Sequence, residues 1–292
     1  MRNNLPPPMS AGEVIAATLE GDAGAAGIWR VVLRHPGRLN AMSRAMWRQL
    51  RAVFTALQLQ SEVRCVIVQG EGGAFCAGGD ISEYPGFRFD PTQLREFHEA
   101  EVWGGLAAML ACDVPLIAGI DGACMGAGVE IASCCDLRIA TPGARFGAPI
   151  ARLGFPMAPR EAQLVASAAG AMTARQMLLE AATFSAADMA QRGFLSRIEP
   201  AETLQAEVLA TARRIASLAP QAARLNKQTL RALLLPGLVA DSMPDRPLAP
   251  ALSGPDAMKK EADALADPYA YADSAEHREG IGAFLEKRPP RF

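Results

Sequence analysis

Apolar residues recur with two different periods along the 292-residue chain, and these periods predict its strands and helices. Between residues 14 and 34, apolar and polar positions alternate around a glycine-rich turn, which indicates a β-hairpin. Residues 40–60 carry apolar side chains at helical spacing, as an amphipathic helix does. The apolar run at residues 65–68 is continuous and predicts a strand buried on both faces. Residues 82–91 show no regular period, and residues 91–110 predict another helix.

The middle of the chain continues as strand, helix and strand, and its last third is helical. Strands are predicted at residues 116–120, 137–140 and 145–147, with a helix that begins around Gly126. This order is typical of an α/β domain. From residue 159 onward the pattern is helical, with segments at 185–193, 201–218, 221–235, 256–266 and 274–286. The first of these segments has a capping-box-like start at Ser185 and Asp188.

Three regions follow from this order of elements. We expect a flexible tail at residues 1–12, an α/β core at residues 13–200 and a helical region at residues 201–292. The helical region contains a proline-rich stretch at residues 236–255 that lacks periodicity, which indicates a loop. No internal repeat is evident.

Composition and charge narrow the classes of function. A net charge of -2 and a pI near 6.0 give no electrostatic reason to expect nucleic acid or an anionic membrane as a partner. We find no apolar run of membrane-spanning length and no apolar signal-peptide core near the N-terminus. The six cysteines show neither CxxC spacing nor pairing with histidines, so neither a zinc or other metal site nor a disulfide scaffold is predicted. A reduced, cytoplasmic setting fits this cysteine usage best.

The strongest candidate for chemistry is the sequence GAGVE, from Gly126 to Glu130. A helix that begins with residues no larger than alanine exposes its free N–H groups to a ligand. Glu130 follows within about one helical turn, so a carboxylate should lie beside the oxygen-binding site that these donors create. The glycine-rich loop at residues 70–81 matches neither GxGxxG nor the P-loop pattern. The sequence therefore predicts an oxyanion pocket with an adjacent base, and no nucleotide-phosphate loop of those two types.

Five motifs occur in the order of one known family: LRHPGRLNAM, AFCAGGDI, DGACMGAGVEIASCCDLRIA, ARFGAPIARLG and REGIGAFLEKR. Over residues 14–292 the chain resembles the enoyl-CoA hydratase/isomerase (crotonase) family. The resemblance implies an α/β fold, a crotonase-like spiral of β-β-α repeats with a C-terminal helical trimerisation region. It also implies a homotrimer or a dimer of trimers, and an acyl-CoA thioester as substrate. No cofactor is implied beyond the coenzyme A that the substrate carries.

The resemblance also assigns roles to residues of the two glycine-rich segments. The backbone N–H groups of Gly79 and Ala127 match the family's oxyanion donors, and Glu130 matches its first catalytic glutamate. Two such donors stabilise the enolate that forms when a proton leaves or joins the carbon α to a thioester. The positions that match contacts with the substrate or coenzyme A are Arg38, Leu39, Ala41, Ala77, Gly79, Asp80, Ile81, Ala127 and Lys287.

One departure from the family pattern bears on the reaction. The family's hydratases carry a second glutamate where this chain has Ile150, which cannot transfer a proton. We therefore expect one acid/base glutamate and weak hydratase activity, with double-bond isomerisation and decarboxylation left open. Glu161 is either a substitute acid or, as we expect, a first-turn surface glutamate. A non-catalytic acyl-CoA binding protein with the same fold is the alternative.

Other side chains near these motifs allow two interpretations. Tyr84, Phe87 and Phe89 could line the acyl end of the pocket or pack in the core. Cys76 and Cys124 flank the pocket and are expected to be small buried packing residues. His98 lies on the helix expected near the pocket, and a solvated position is the default for it.

Overall fold

The computed structural model describes residues 11–19, 25–235, 238 and 271–292. The helix predicted at residues 256–266, almost all of the proline-rich loop and most of the N-terminal tail lie outside the described residues.

The described strands form two sheets. They are β1 (Glu13–Thr18), β2 (Ile28–Arg34), β3 (Cys65–Gly70), β4 (Leu116–Ile120), β5 (Ala123–Met125), β6 (Leu137–Ala140), β7 (Arg145–Gly147), β8 (Thr183–Ser185) and β9 (Arg197–Ile198). The larger sheet has the order β1-β2-β3-β4-β6-β9, and the smaller one has the order β5-β7-β8. The predicted hairpin is confirmed, because β1 and β2 pair antiparallel, whereas β2, β3, β4, β6 and β9 run parallel.

Ten α-helices lie in the described residues. They are α1 (Arg44–Gln58), α2 (Pro91–Glu96), α3 (Trp103–Ala111), α4 (Ala127–Ser133), α5 (Pro159–Ala169), α6 (Ala171–Leu179), α7 (Ala186–Gln191), α8 (Ala201–Ala216), α9 (Pro220–Leu234) and α10 (Ala275–Leu285). Short 3-10 helices span Ile81–Gly86 and Ile150–Leu153. The capping box predicted at Ser185 and Asp188 is confirmed. None of these described helices is both long enough and apolar enough to cross a membrane.

A repeating unit of strand, strand and helix connects the two sheets. In each unit the first strand joins the larger sheet, the second joins the smaller sheet, and a helix follows. The units β4-β5-α4 and β6-β7-α5 show this order. Because β5 and β7 pair in parallel, the ends of successive units meet at one edge of the small sheet. The chain segments that follow β5 and β7 are therefore brought together although they are distant in sequence.

Both faces of the larger sheet are buried, as the continuous apolar run at residues 65–68 predicts. Val66 and Val68 belong to the main core, which includes side chains of α1, α3 and α4. Cys65 and Ile67 point to the other face, where they share a second apolar cluster with residues of α8. Strand residues alternate between faces with a period of two, so a single apolar run supplies both cores.

The first predicted helix begins later than expected. Residues 40–43 precede α1, because Leu39 and Asn40 have positive φ values of 47° and 58° that a helix cannot contain. The Asn40 side chain donates to the carbonyl oxygens of Glu71 and Ala74, both at 2.8 Å. Ser43 then caps α1 by accepting a hydrogen bond from the Met46 N–H. The segment before α1 is thus part of the loop network around the glycine-rich stretch.

The helix predicted at residues 91–110 is also corrected. It consists of α2, a π-helical segment at Phe97–Val102 and α3. A π-helical turn inserts an extra residue and shifts the side chains that follow it. The segment contains His98 and also Glu101, which binds the guanidinium groups of Arg44 and Arg48 with nitrogen–oxygen distances of 2.7 Å.

Helix α9 is attached to the core through two buried cations. Arg231 forms an ion pair with Asp113 at 2.7 Å. The Lys227 Nζ atom donates to the Val114 carbonyl and lies 2.8 Å from Asp136. Because Asp113 and Val114 lie just before β4, helix α9 supports the strand that leads to the GAGVE segment.

Candidate active site

The turn between β5 and α4 creates a helix start with no side-chain cap. Gly126 is the N-cap residue, with φ 48° and ψ −111°, a conformation that glycine adopts readily. Ala127 follows as the first helical residue, whose N–H has no partner within a helix. In the part of the chain that the structure describes, the Ala127 N–H donates to no protein acceptor. It is therefore available to a ligand.

The loop after β3 places Gly79 near this turn through backbone hydrogen bonds. The Met42 N–H donates to the Gly78 carbonyl, and the Asp80 N–H donates to the Met42 carbonyl, both at 2.8 Å. Gly79 lies between these bonds and its own N–H has no protein acceptor among the described residues. A Cβ atom at Gly79 would overlap the Tyr84 hydroxyl oxygen. The partly buried Tyr84 side chain therefore approaches the Gly79 backbone closely.

A second ladder connects the two segments directly. Cys76 donates its N–H to the Ala123 carbonyl and accepts from the Met125 N–H, both at 2.8 Å. The relative position of Gly79 and Ala127 is therefore fixed by main-chain bonds. Cys76 and Cys124 are fully buried in this ladder, and burial raises the pKa of the Cys76 thiol to about 12. Both act as packing residues, as expected.

Gly79, Ala127 and Glu130 line one cavity of about 340 Å³. Its wall also includes Ala77, Ile81, Tyr84, Arg88, His98, Ile150, Arg152, Leu153, Phe155 and Glu161. Most of this wall is apolar, so charged groups inside it are poorly solvated. The structure brings the two predicted donors and the predicted carboxylate to one cavity.

Two carboxylic acids face this cavity. Glu130 is 7% exposed and Glu161 is 3% exposed. Burial raises the pKa of Glu130 well above its usual value, and the charge of Glu161 raises that pKa further. The prediction that Glu161 is a surface residue is wrong, because α5 packs against α4 and turns the first-turn glutamate toward Glu130.

A histidine holds the second carboxylate. The Nδ1 atom of His98 lies 2.8 Å from the Glu161 Oε1 atom. The side chain of His98 is 18% exposed, so the solvated position expected for it is also wrong. His98 lies on the π-helical segment and lines the cavity.

Sequence reasoning missed this pair, although one signal for Glu161 is present. Glu161 lies three and four positions before Leu164 and Val165, which are fully buried. Residues at this spacing share one face of a helix, so Glu161 belongs to the apolar face of α5. No comparable signal exists for His98, which lies on the π-helical segment.

Of the other positions predicted to contact the substrate or coenzyme A, some line the cavity and others do not. Ala77 and Ile81 line the cavity. Asp80 is buried, caps the first 3-10 helix and lies 3.7 Å from the Arg38 guanidinium. Arg38, Leu39, Ala41 and Lys287 are not among the residues of the cavity wall, and Leu39 is 59% exposed. Their contact with coenzyme A stays a prediction.

The three aromatic residues Tyr84, Phe87 and Phe89 lie in different environments. Tyr84 lines the cavity, and burial raises its pKa to about 12. Phe87 packs in the core beside Phe97, with ring centroids 4.6 Å apart. Phe89 is 85% exposed and lines a neighbouring cavity.

The raised pKa of Glu130 predicts a pH-dependent effect on stability. The unfolded chain releases this proton near pH 4.5, whereas the folded protein keeps it to a higher pH. The stabilisation from the bound proton is full below about pH 4.5 and is lost as pH rises through the folded-state pKa. The Glu130→Gln variant lacks this dependence. The Tm of the variant minus the Tm of the wild type should therefore increase as pH rises from about 5 to about 8. Thermal unfolding at several pH values measures this difference, with Glu62→Gln as an exposed control. A Tm difference that stays constant over this range would contradict the assignment.

The two sheets and their β-β-α repeats define an α/β protein of the crotonase fold, as predicted. A structure of an enoyl-CoA hydratase/carnithine racemase from Magnetospirillum magneticum superimposes with a TM-score of 0.78 at 31% identity, covering 91% of this chain and 92% of that chain. A probable enoyl-CoA hydratase of Mycobacterium bovis, echA8, is 30% identical over 262 residues, which are 90% of this chain and 93% of that protein. The crotonyl-CoA hydratase of Syntrophomonas wolfei is 31% identical over 266 residues, covering 89% of this chain and 92% of that protein.

The family model described as enoyl-CoA hydratase/isomerase matches residues 23–292. The chain belongs to the enoyl-CoA hydratase/isomerase family. The predicted family membership and the prediction of an enzyme of the lyase or isomerase type are therefore confirmed.

Proposed function

We propose that this enzyme adds water to the double bond of an enoyl-CoA thioester. One observation carries the proposal: a second buried carboxylate, that of Glu161, faces the same cavity as Glu130. Hydration needs one group that accepts a proton from water and another that delivers a proton to the α carbon. The two carboxylates meet that need although Ile150 occupies the position of the family's second glutamate.

The N–H groups of Gly79 and Ala127 support the electronic part of this proposal. Attack at the β carbon moves the double-bond electrons toward the thioester carbonyl, whose oxygen gains negative charge as an enolate. Two fixed donors that point at this oxygen stabilise the charge without having to reorient. The absence of a protein acceptor for either N–H, among the described residues, is what such a role requires.

The two glutamates have different surroundings, which suggests separate tasks. Glu161 accepts a hydrogen bond from His98 in the tautomer that carries a proton on Nδ1, so it is the base that takes a proton from water. The water oxygen bonds to the β carbon. Glu130, whose pKa burial raises, holds a proton and gives it to the α carbon as the enolate collapses. A proton then returns from Glu161 to Glu130 through solvent, which restores the starting state.

Double-bond isomerisation is the second candidate reaction. The apolar Ile150 side chain in the cavity wall favours it, since a single acid/base, Glu130, can move a proton between two carbons of the acyl chain. The non-catalytic acyl-CoA binding protein remains a third alternative, which predicts no turnover of any enoyl-CoA.

Replacing Glu161 separates hydration from isomerisation. The Glu161→Gln variant keeps the size of the side chain and removes the base, so hydration of crotonyl-CoA should slow by about 10²-fold. Isomerisation of a 3-enoyl-CoA should change only a few-fold, because Glu130 is retained. Loss of absorbance of the conjugated thioester measures hydration. Glu99→Gln, which alters a half-exposed glutamate near the same elements, is the control. Unchanged hydration in Glu161→Gln would eliminate the two-carboxylate mechanism.

The remaining predictions concern the molecule as a whole. A homotrimer or a dimer of trimers is proposed from the family resemblance, and exposed apolar side chains on α9 and α10, among them Leu233 and Phe284, fit a covered surface. The division into a core at residues 13–200 and a helical region at residues 201–292 stays a prediction. So do the cytoplasmic setting and the absence of a cofactor besides the coenzyme A of the substrate.

A further inference from the structure

A cationic side chain lies in the wall of the candidate active site. Arg88 lines the cavity of about 340 Å³ that contains Gly79 and Glu130, and it also lines an adjoining cavity of about 510 Å³. The adjoining cavity shares Ile81, Leu153 and Phe155 with the first, and its wall includes neither of the donors Gly79 and Ala127 and neither of the buried glutamates. Arg88 therefore lies where the two cavities adjoin.

The guanidinium group of Arg88 is held by aromatic rings. Its central carbon lies 3.5 Å from the centroid of the Phe155 ring and 4.7 Å from that of Tyr84. Contacts of this kind fix the plane of the group and leave its N–H edge free for hydrogen bonds. The stacking thus orients a cation without using its donors.

No acidic or carbonyl group of the described residues neutralises this cation through a hydrogen bond or ion pair. Glu161 acts on it electrostatically, yet its carboxylate is bonded to His98 instead. Burial lowers the pKa of Arg88, but a guanidinium stays protonated in proteins. A partly buried charge with unused donors is costly unless a ligand satisfies it.

The chemistry of this wall restricts the ligand. A planar guanidinium binds a carboxylate through two parallel hydrogen bonds, and Ile81, Leu153 and Phe155 in the same cavity wall offer apolar contacts to an acyl chain. We propose that the preferred substrate is a coenzyme A thioester of a dicarboxylic acid, and that Arg88 binds its free terminal carboxylate. This inference rests on the proposed acyl-CoA site and adds the class of acyl group.

Binding of two unreactive thioesters of equal chain length tests the inference without requiring turnover. The wild-type enzyme should bind adipoyl-CoA at least about 10-fold more tightly than hexanoyl-CoA, as expected for hydrogen bonds between charged groups. The Arg88→Met variant keeps the apolar stem over the rings and should lose this preference, with little change in hexanoyl-CoA affinity. The Arg88→Lys variant should show an intermediate preference, since it retains the charge without the planar fork. Isothermal titration calorimetry measures each affinity.

Arg152 provides a matched control, because it lines the same cavity and carries the same charge at an exposed position. The Arg152→Met variant should keep the preference for adipoyl-CoA. Equal binding of both thioesters by the wild type would overturn the inference. Equal weakening of both by Arg88→Met would also overturn it, since Arg88 would then serve the phosphates of coenzyme A. Loss of the preference in Arg152→Met alone would move the role to that residue.

The result of this binding test can be told apart from the result of the hydration test. Hydration of 2-hexenoyl-CoA by an enzyme without any preference for adipoyl-CoA would overturn only the assignment of Arg88. A clear preference for adipoyl-CoA in an enzyme that hydrates no enoyl-CoA would support the assignment and overturn hydration.

Discussion

The Glu130→Gln variant should lose about 10²–10⁴-fold in kcat/KM for an enoyl-CoA, because a positioned acid or base contributes a factor of this size. Glutamine preserves the volume of the side chain and can still form hydrogen bonds, but it cannot deliver a proton. Glu130 is buried in the cavity wall beside the free N–H of Ala127, so no solvent group replaces it there. Affinity for a saturated acyl-CoA should remain within a few-fold of the wild type.

Steady-state kinetics with crotonyl-CoA and calorimetry with butyryl-CoA test these two parts. Glu62→Gln, an exposed substitution of the same kind, should leave both unchanged. Turnover that survives in Glu130→Gln would show that the carboxylate moves no proton in the rate-limiting step. Binding without turnover in the wild type would instead favour the non-catalytic alternative.

The Ala127→Pro variant should lose at least about 10²–10³-fold in kcat/KM, the typical effect of removing one oxyanion donor. Proline has no N–H, and its ring would occupy the space in front of the former donor. The fold should tolerate the change, because Ala127 is the first residue of α4, where proline is favoured and no helical hydrogen bond is lost. The Tm should therefore remain close to that of the wild type while activity falls.

The matched control at this position is Ala127→Gly. It retains the N–H and removes only the methyl group, so kcat/KM should stay within a few-fold of the wild type. A loss in Ala127→Gly as large as that in Ala127→Pro would mean that the methyl group, and not the donor, is what matters. Retained activity in Ala127→Pro would remove Ala127 from the oxyanion site.

The accuracy of the sequence predictions depends on whether the property resides in the backbone or in a side chain. The hairpin, the strand at residues 65–68 and the helix start at Gly126 follow local periodicity and glycine content, and all three are present. Gly79 and Ala127 could be placed from motifs alone, because donation by a backbone N–H does not depend on side-chain identity. Their shared cavity was predictable for the same reason.

The missed features depend on packing between distant elements. Glu161 faces Glu130 only because α5 crosses α4, and a first-turn glutamate is usually solvated. His98 reaches Glu161 through a π-helical turn that has no clear pattern in the sequence. The late start of α1 follows from hydrogen bonds between Asn40 and carbonyl groups more than thirty residues away. Long-range contacts of this type override local propensity.

The main-chain ladder between Cys76 and the residues around Cys124 has a consequence for how such a scaffold can diverge. Bonds that involve only peptide groups survive most side-chain substitutions, so the proposed activation of a thioester should withstand most mutations. Proton transfer has no such protection, because each carboxylate is one substitution away from being lost or regained on another helix. In the proposed mechanism, Glu161 supplies the carboxylate that Ile150 cannot. A lineage built on this frame can therefore explore new reactions while the step they share stays intact.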